Sequence, residues 1–189
     1  KGVPIILSTG MATLGEIEEA LNSIYSQGNN KVALLHCISS YPTPVEYVNL
    51  KAINTLKQAF GVPVGYSDHT EGVLMPIVAA AFSANIIEKH FTLSKDLEGP
   101  DHKASADPEE LKEMVDGIRD VEKAIGSGIK NIASVEINPR KLMRRSIIAR
   151  RNISKGSEIQ ENMLATKRPG TGIPPALLGL VVGKCAKKD

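Results

Sequence analysis

The sequence has no excess of charge of either sign. Lys and Arg number 23, Asp and Glu 21, and the net charge is +2. A general nucleic-acid surface needs a basic excess, so none is expected. Basic residues thicken only late, at 140–151 and 184–188. Long hydrophobic runs are missing too. The longest, such as residues 73–82, fall well short of the roughly 20 residues that span a bilayer. No membrane is expected as a partner. Cysteine is scarce: Cys37 and Cys185 lie far apart and make no CxxC motif. They read as reduced thiols, and the expected location is cytoplasmic. No signal peptide, internal repeat or low-complexity tract is visible within these residues. No tight ligand motif such as HExxH occurs. No Met precedes Lys1 and the chain starts almost directly on a strand, so a fragment is expected, with material missing upstream and Asp189 an early stop.

What remains is ordinary for a soluble globular protein: 42% hydrophobic and 23% charged over 189 residues. That length suits one or two domains. Apolar, β-prone runs fall at 3–7, 32–35, 62–65 and 85–88. A helix follows the first, opened by Thr13 with Glu16 three residues on, as in a capping box. Ile17, Ala20, Leu21 and Ile24 form its apolar stripe. A second helix carries Leu50, Ile53, Leu56 and Phe60 on one face. A third, very apolar, covers 73–82. Asp107 and Pro108 open a fourth that runs to about residue 125.

The strands are continuous apolar runs, as expected when both faces are covered. Each is followed by a helix or loop, which implies a parallel sheet. Polar residues cluster after each strand: Ser8 and Thr9, then 36–40, then 67–69, then Lys89 and His90. Those are the mouth positions of a β/α barrel, where catalysis sits. A doubly wound sheet would use the same edge. Four such units make half a barrel. The fold class is therefore α/β, with a parallel-sheet domain over 1–128 that is either half a barrel or a doubly wound sheet, a linker over 129–142 and a small β-rich domain over 143–189.

Three of the four histidines, His69, His90 and His102, fall within 64–105. His69 and His90 end consecutive strands, and neighbouring strands lie about 4.8 Å apart. They can share one cation, or they can be hydrogen-bonded strand-end residues without a metal. Strand alternation sends Glu88 and His90 to one side and Lys89 to the other. A buried Glu88 would need a hydroxyl or cationic partner. Residues 99–102 (Gly-Pro-Asp-His) form a rigid turn that either covers the pocket or is an ordinary surface turn. Ser8, Thr9, Ser39 and Ser67 can donate to a phosphate or carboxylate. His36 reads as structural and Cys37 as a small buried residue. Arg168 sits on a stiff turn, as a ligand contact or a solvated side chain.

The motifs LHCISSYPTP at 35–44, GYSDHT at 65–70, IIEKHFTL at 86–93, GPDHKAS at 99–105 and KRPGTGI at 167–173 together resemble the sialic acid synthases. The resemblance covers essentially the whole chain. It implies the C-terminal half of a (β/α)8 TIM barrel followed by an antifreeze-like (SAF) domain. The implied reaction condenses phosphoenolpyruvate with N-acetylmannosamine, or a related 2-acetamido sugar, to a sialic acid and phosphate. The implied cofactor is a divalent metal, Mn²⁺ first, with Mg²⁺ and Co²⁺ as alternatives, held by His69 and His90. Glu88 and Asp101 would contact the acceptor sugar, with Tyr41 nearby. Ser8, Ser39 and Ser67 would lie on the phosphoenolpyruvate side. Arg168 would contact the N-acetyl group from the other subunit of a domain-swapped homodimer. His102 receives no role.

Three alternatives stand beside this reading: a legionaminate-type synthase, a truncated non-catalytic sugar-binding or dimerising module, and a synthase of 3-deoxy sugar acids. The SAF-like tail argues against the last. This chain is expected to be inactive without an upstream half.

Overall fold

The computed structural model describes residues 2–189. They divide into two units at Gly128 and Ile129. The first contains β1 (Ile5–Ser8), α1 (Leu14–Ser26), β2 (Val32–Cys37), α2 (Lys51–Phe60), β3 (Val64–Asp68), α3 (Leu74–Ala81), β4 (Ile87–Lys89) and α4 (Pro108–Ile125). The strands form one parallel sheet in the order β1-β2-β3-β4. Each crossover adds its strand on the same side as the last. A doubly wound sheet reverses direction at a switch point; a β/α barrel does not. The sheet is a curled half-barrel.

Alternate strand residues face opposite ways. Leu7, Leu34, Val64, Tyr66 and Ile87 turn toward the helices, where they meet Ile17, Leu21, Ile53, Leu56 and Ala79. Ile53 and Val64 are 0% exposed; burying side chains of this size stabilises by about 1.5–3 kcal/mol each. Ser8, Leu35, Gly65, Ser67 and Glu88 take the other phase and face what would be the barrel interior.

The helix starts follow local chemistry. Thr13 Oγ1 accepts from the Glu16 amide, and the Thr13 amide donates to the Glu16 carboxylate at 2.7 Å. That backbone donation, with a second from the Thr13 hydroxyl, holds the Glu16 carboxyl below the usual carboxylate range. Asp107 caps α4 through the Glu109 and Glu110 amides, with Pro108 at the first position. Thr13→Ala should lower stability by about 0.5–2 kcal/mol, read by urea unfolding; no change would show that the reciprocal bonds are dispensable.

The strands run one to three residues later than the apolar runs suggest. β3 extends through Tyr66, Ser67 and Asp68 because these pair with Ile87, Glu88 and Lys89. Ladder bonds are made by backbone, so polar residues join a strand whenever a neighbour is in register.

The second unit contains α5 (Ile137–Met143), β5 (Ser146–Ala149), β6 (Leu164–Lys167) and α6 (Leu178–Val181). Strands β5 and β6 are antiparallel. Ser146 Oγ donates to the Pro169 carbonyl and accepts from the Gly172 amide, both at 2.8 Å. The segment around Cys185 pairs with that around Glu158, giving this small unit a second β contact. Within 129–142, read above as linker, lie a 3-10 turn at Ser134–Glu136 and most of α5.

Candidate active site

At the ends of β3 and β4, His69 and His90 stand edge-on with ring centroids 5.5 Å apart. Tyr41 packs on both, at 4.2 Å from His69 and 5.8 Å from His90. His69 Nδ1 lies 2.7 Å from the Ile38 carbonyl. A carbonyl only accepts, so Nδ1 carries a proton, and in the neutral ring the lone pair is on Nε2. Each histidine is also held by its backbone. The Thr43 amide donates to the His69 carbonyl, and the Ala106 amide to the His90 carbonyl, both at 2.8 Å.

Two residues back on the same face, Ser67 Oγ donates to Glu88 Oε1 at 2.7 Å. The hydroxyl partner that a strand-end carboxylate needs is therefore present. Glu88 is nevertheless exposed rather than buried, because it stands on the open face of the half-barrel. Cys37 shares this face. Burial pushes its thiol above the usual range, outweighing amide donation from Gly10 and Thr9; the Glu88 charge adds to the rise.

On the opposite face, Lys89 is buried against Asp68 at 2.7 Å, with side-chain exposures of 2% and 0%. Tyr66 and Thr70 complete this network. Burial, then the adjacent Asp68 carboxylate, drives the Tyr66 phenol well above its ordinary range. The sequence reading missed the pair. Its signal was the matching phase: Asp68 precedes His69 as Lys89 precedes His90.

Other expected residues are more dispersed. Ser8 ends β1, with Leu35 as its register partner. Ser39 lies against the loop after β1: a Cβ on Gly10 would fall 2.3 Å from Ser39 Oγ. Asp101 is exposed and enters the fold through its carbonyl, which accepts from the Ala104 amide and the Ser105 amide and hydroxyl. His102 pairs through Nδ1 with Thr92 Oγ1 at 2.8 Å, tying the loop to its own root. His36 is buried and bonded to the Val48 carbonyl, as a structural histidine should be. Arg168, in the second unit, donates from Nε to the Met143 carbonyl at 3.0 Å.

Residues 1–130 match the NeuB family model, and 144–189 match the SAF domain. The chain belongs to the NeuB family. It is 54% identical over 188 residues to an uncharacterised protein of Methanocaldococcus jannaschii, covering 100% of this chain and 56% of that one. It is 49% identical to the N,N'-diacetyllegionaminic acid synthase of Campylobacter jejuni, covering 98% and 56%. The pseudaminic acid synthase of the same species is 40% identical, covering 98% and 54%. Among solved structures, the N-acetylneuraminic acid (sialic acid) synthetase of Leptospira borgpetersenii in complex with citrate superposes with a TM-score of 0.67 at 40% identity, covering 73% of this chain and 48% of that one. The NeuB-family chain thus spans about half the length of the curated relatives it matches.

The donor set bears on the metal the resemblance implies. Among the described residues no group of three or more His, Cys, Asp or Glu gathers around one point. Two imidazoles do converge, one with its tautomer fixed by a carbonyl, the usual outer partner of a metal-ligating histidine. Two protein ligands with open positions suit a catalytic ion better than a structural one. The residues fit a divalent cation held by His69 and His90. Among the described residues no helix is long and apolar enough to cross a membrane.

Proposed function

We propose that this chain carries the metal- and acceptor-binding half of a sugar-acid synthase. The reaction joins phosphoenolpyruvate to a 2-acetamido sugar and releases phosphate. The convergence of His69, His90 and Tyr41 above the Ser67–Glu88 bond carries the reading.

A divalent ion held by His69 and His90, Mn²⁺ in this reading, supplies Lewis-acid polarisation of a carbonyl. The chain's own groups do the rest. Ser67 orients the Glu88 carboxylate, whose remaining lone pairs accept from sugar hydroxyls. Tyr41 packs on both imidazoles and supplies an apolar wall with a polar tip. Asp101, on the loop fastened by His102, closes on the acceptor and shares with Glu88 the moving of protons. Ser8 and Ser39 donate to phosphoenolpyruvate. Arg168 uses its guanidinium on the acceptor's N-acetyl group, across a domain-swapped dimer.

Two acceptors fit this scheme: N-acetylmannosamine and the acceptor of a legionaminate-type synthase. The greater likeness to a diacetyllegionaminic acid synthase, 49% against 34% for the N-acetylneuraminate-9-phosphate synthase of Homo sapiens, favours a sugar with a second acetamido group. The test is phosphate release by the full-length protein with phosphoenolpyruvate, Mn²⁺ and a panel of mono- and diacetamido sugars. The expected result is turnover, fastest with a diacetamido sugar. Phosphate release with none of them would sink the proposal; preference for N-acetylmannosamine would reverse the choice of acceptor.

A further inference from the structure

Behind the two histidines lies the buried ion pair, which the reading above leaves without a task. Asp68 and Lys89 are the last register partners of β3 and β4. Each immediately precedes one of the histidines. Lys89 Nζ donates to Asp68 Oδ2 at 2.7 Å and to the Thr70 carbonyl at 2.8 Å. One ammonium thus grips the residues on both sides of His69. The Asp68 carboxylate also accepts from the Tyr66 hydroxyl at 2.9 Å, the Thr70 amide at 3.0 Å and the Thr70 hydroxyl at 3.2 Å.

We propose that Asp68 and Lys89 are positioning residues that set the separation and tilt of His69 and His90 for one divalent cation. The proposal rests on the metal reading above and deepens it. Two considerations carry it. First, burying two charges forfeits their hydration, and well-packed apolar replacements are often neutral or stabilising. Stability alone is therefore a weak reason for charge at a site 0% and 2% exposed. Direction is a better one: a carboxylate accepting four directed bonds has one orientation, whereas apolar contacts are non-directional. Second, the ladder stops at this pair. Beyond it, no β3–β4 register pair spaces His69 from His90. The ion pair is the last cross-strand tie below the site, and it touches neither imidazole nor the open face.

The test uses the full-length protein, with Mn²⁺ alone and Co²⁺ alone as probes. In the double variant Asp68→Leu/Lys89→Met the melting temperature should fall, because the Tyr66 and Thr70 groups lose their buried partners, and metal binding is read on the folded variant. Mn²⁺ affinity should fall severalfold or more, up to the about 10–100-fold that losing a partner bonded directly to the ligand costs. The visible absorption of bound Co²⁺ should shift, because ligand geometry changes and ligand identity does not. Tyr66→Phe removes one bond to the Asp68 carboxylate and gives a milder perturbation, with a severalfold loss expected. Wild-type affinity and spectrum in a folded double variant would overturn the proposal. If the double variant does not fold, unchanged Mn²⁺ affinity in Tyr66→Phe overturns it instead. His69→Ala separates the two levels. Binding lost there but intact in the double variant removes only the positioning role. Binding that His69→Ala leaves unchanged removes the metal site and the positioning role together.

Discussion

Replacing His69 with alanine in the full-length protein should weaken Mn²⁺ binding by more than about 100-fold, and metal-dependent phosphate release should fall with it. Loss of an outer partner alone costs about 10–100-fold in affinity, so loss of an inner ligand costs more. His69 offers a preset nitrogen: its Nδ1–H is committed to the Ile38 carbonyl at 2.7 Å, which aims the Nε2 lone pair. His90→Ala should behave alike, since the two rings are edge-on at 5.5 Å and no third His, Cys, Asp or Glu is gathered with them among the described residues. His36 supplies the contrast. It is 7% exposed, on the helix side of β2, and spends Nε2 on the Val48 carbonyl. His36→Gln should lower stability and leave Mn²⁺ affinity alone. Calorimetric titration of the three variants separates the roles. Unchanged affinity in both His69→Ala and His90→Ala would strip them of the ligand assignment.

The contrast between His36 and His69 shows what the sequence could tell. Helix starts were legible because their chemistry is local: Thr13 with Glu16, and Asp107 with Pro108, lie within one turn. The order of strands and helices was legible because apolar runs and caps alternate. Strand ends were not, because Tyr66, Ser67 and Asp68 join β3 through partners 21 positions away. Side-chain phase was legible without the exact strand ends: alternation puts Glu88 and His90 together and Lys89 behind them. The destination of Lys89 required knowing which residue of the next strand shares its level, and that is a matter of register. Loop geometry was the least accessible. Nothing in the periodicity places the Tyr41 ring 4.2 Å from His69, or turns His102 onto Thr92 instead of toward the site. The motif resemblance supplied the candidate ligands, and the folded geometry supplied the partners that hold them.

Gly65→Ala should be among the most damaging single methyl additions in the first unit, although the position looks innocuous. Its φ is not in the left-handed region, so alanine meets no backbone penalty there. Relief of glycine's unfolded-state freedom would even favour it, by about 0.4–1 kcal/mol. Space decides against it. A Cβ at this position would lie 2.4 Å from the Ile86 carbonyl oxygen, 2.6 Å from Leu35 Cδ2 and 2.7 Å from Ile86 Cβ. A side-chain end such as Leu35 Cδ2 can swing away; the Ile86 carbonyl cannot without moving β4. That same carbonyl accepts from the Tyr66 amide at 2.8 Å, and the Asn85 amide donates to the Val64 carbonyl at 2.8 Å. Making room for the methyl stretches both bonds. Overpacking of this kind costs about 1–3 kcal/mol, and each weakened backbone bond adds about 0.5–1.5 kcal/mol. These terms exceed the entropic gain, so a net destabilisation of about 1–6 kcal/mol is expected in urea unfolding. The displacement also has a direction. It opens β3 from β4 four residues below His69 and His90, so the variant should lose Mn²⁺ affinity even where it remains folded. A Gly65→Ala protein as stable as wild type, with intact Mn²⁺ affinity, would show that the spacing of the two strands at Gly65 does not set the spacing of the two histidines.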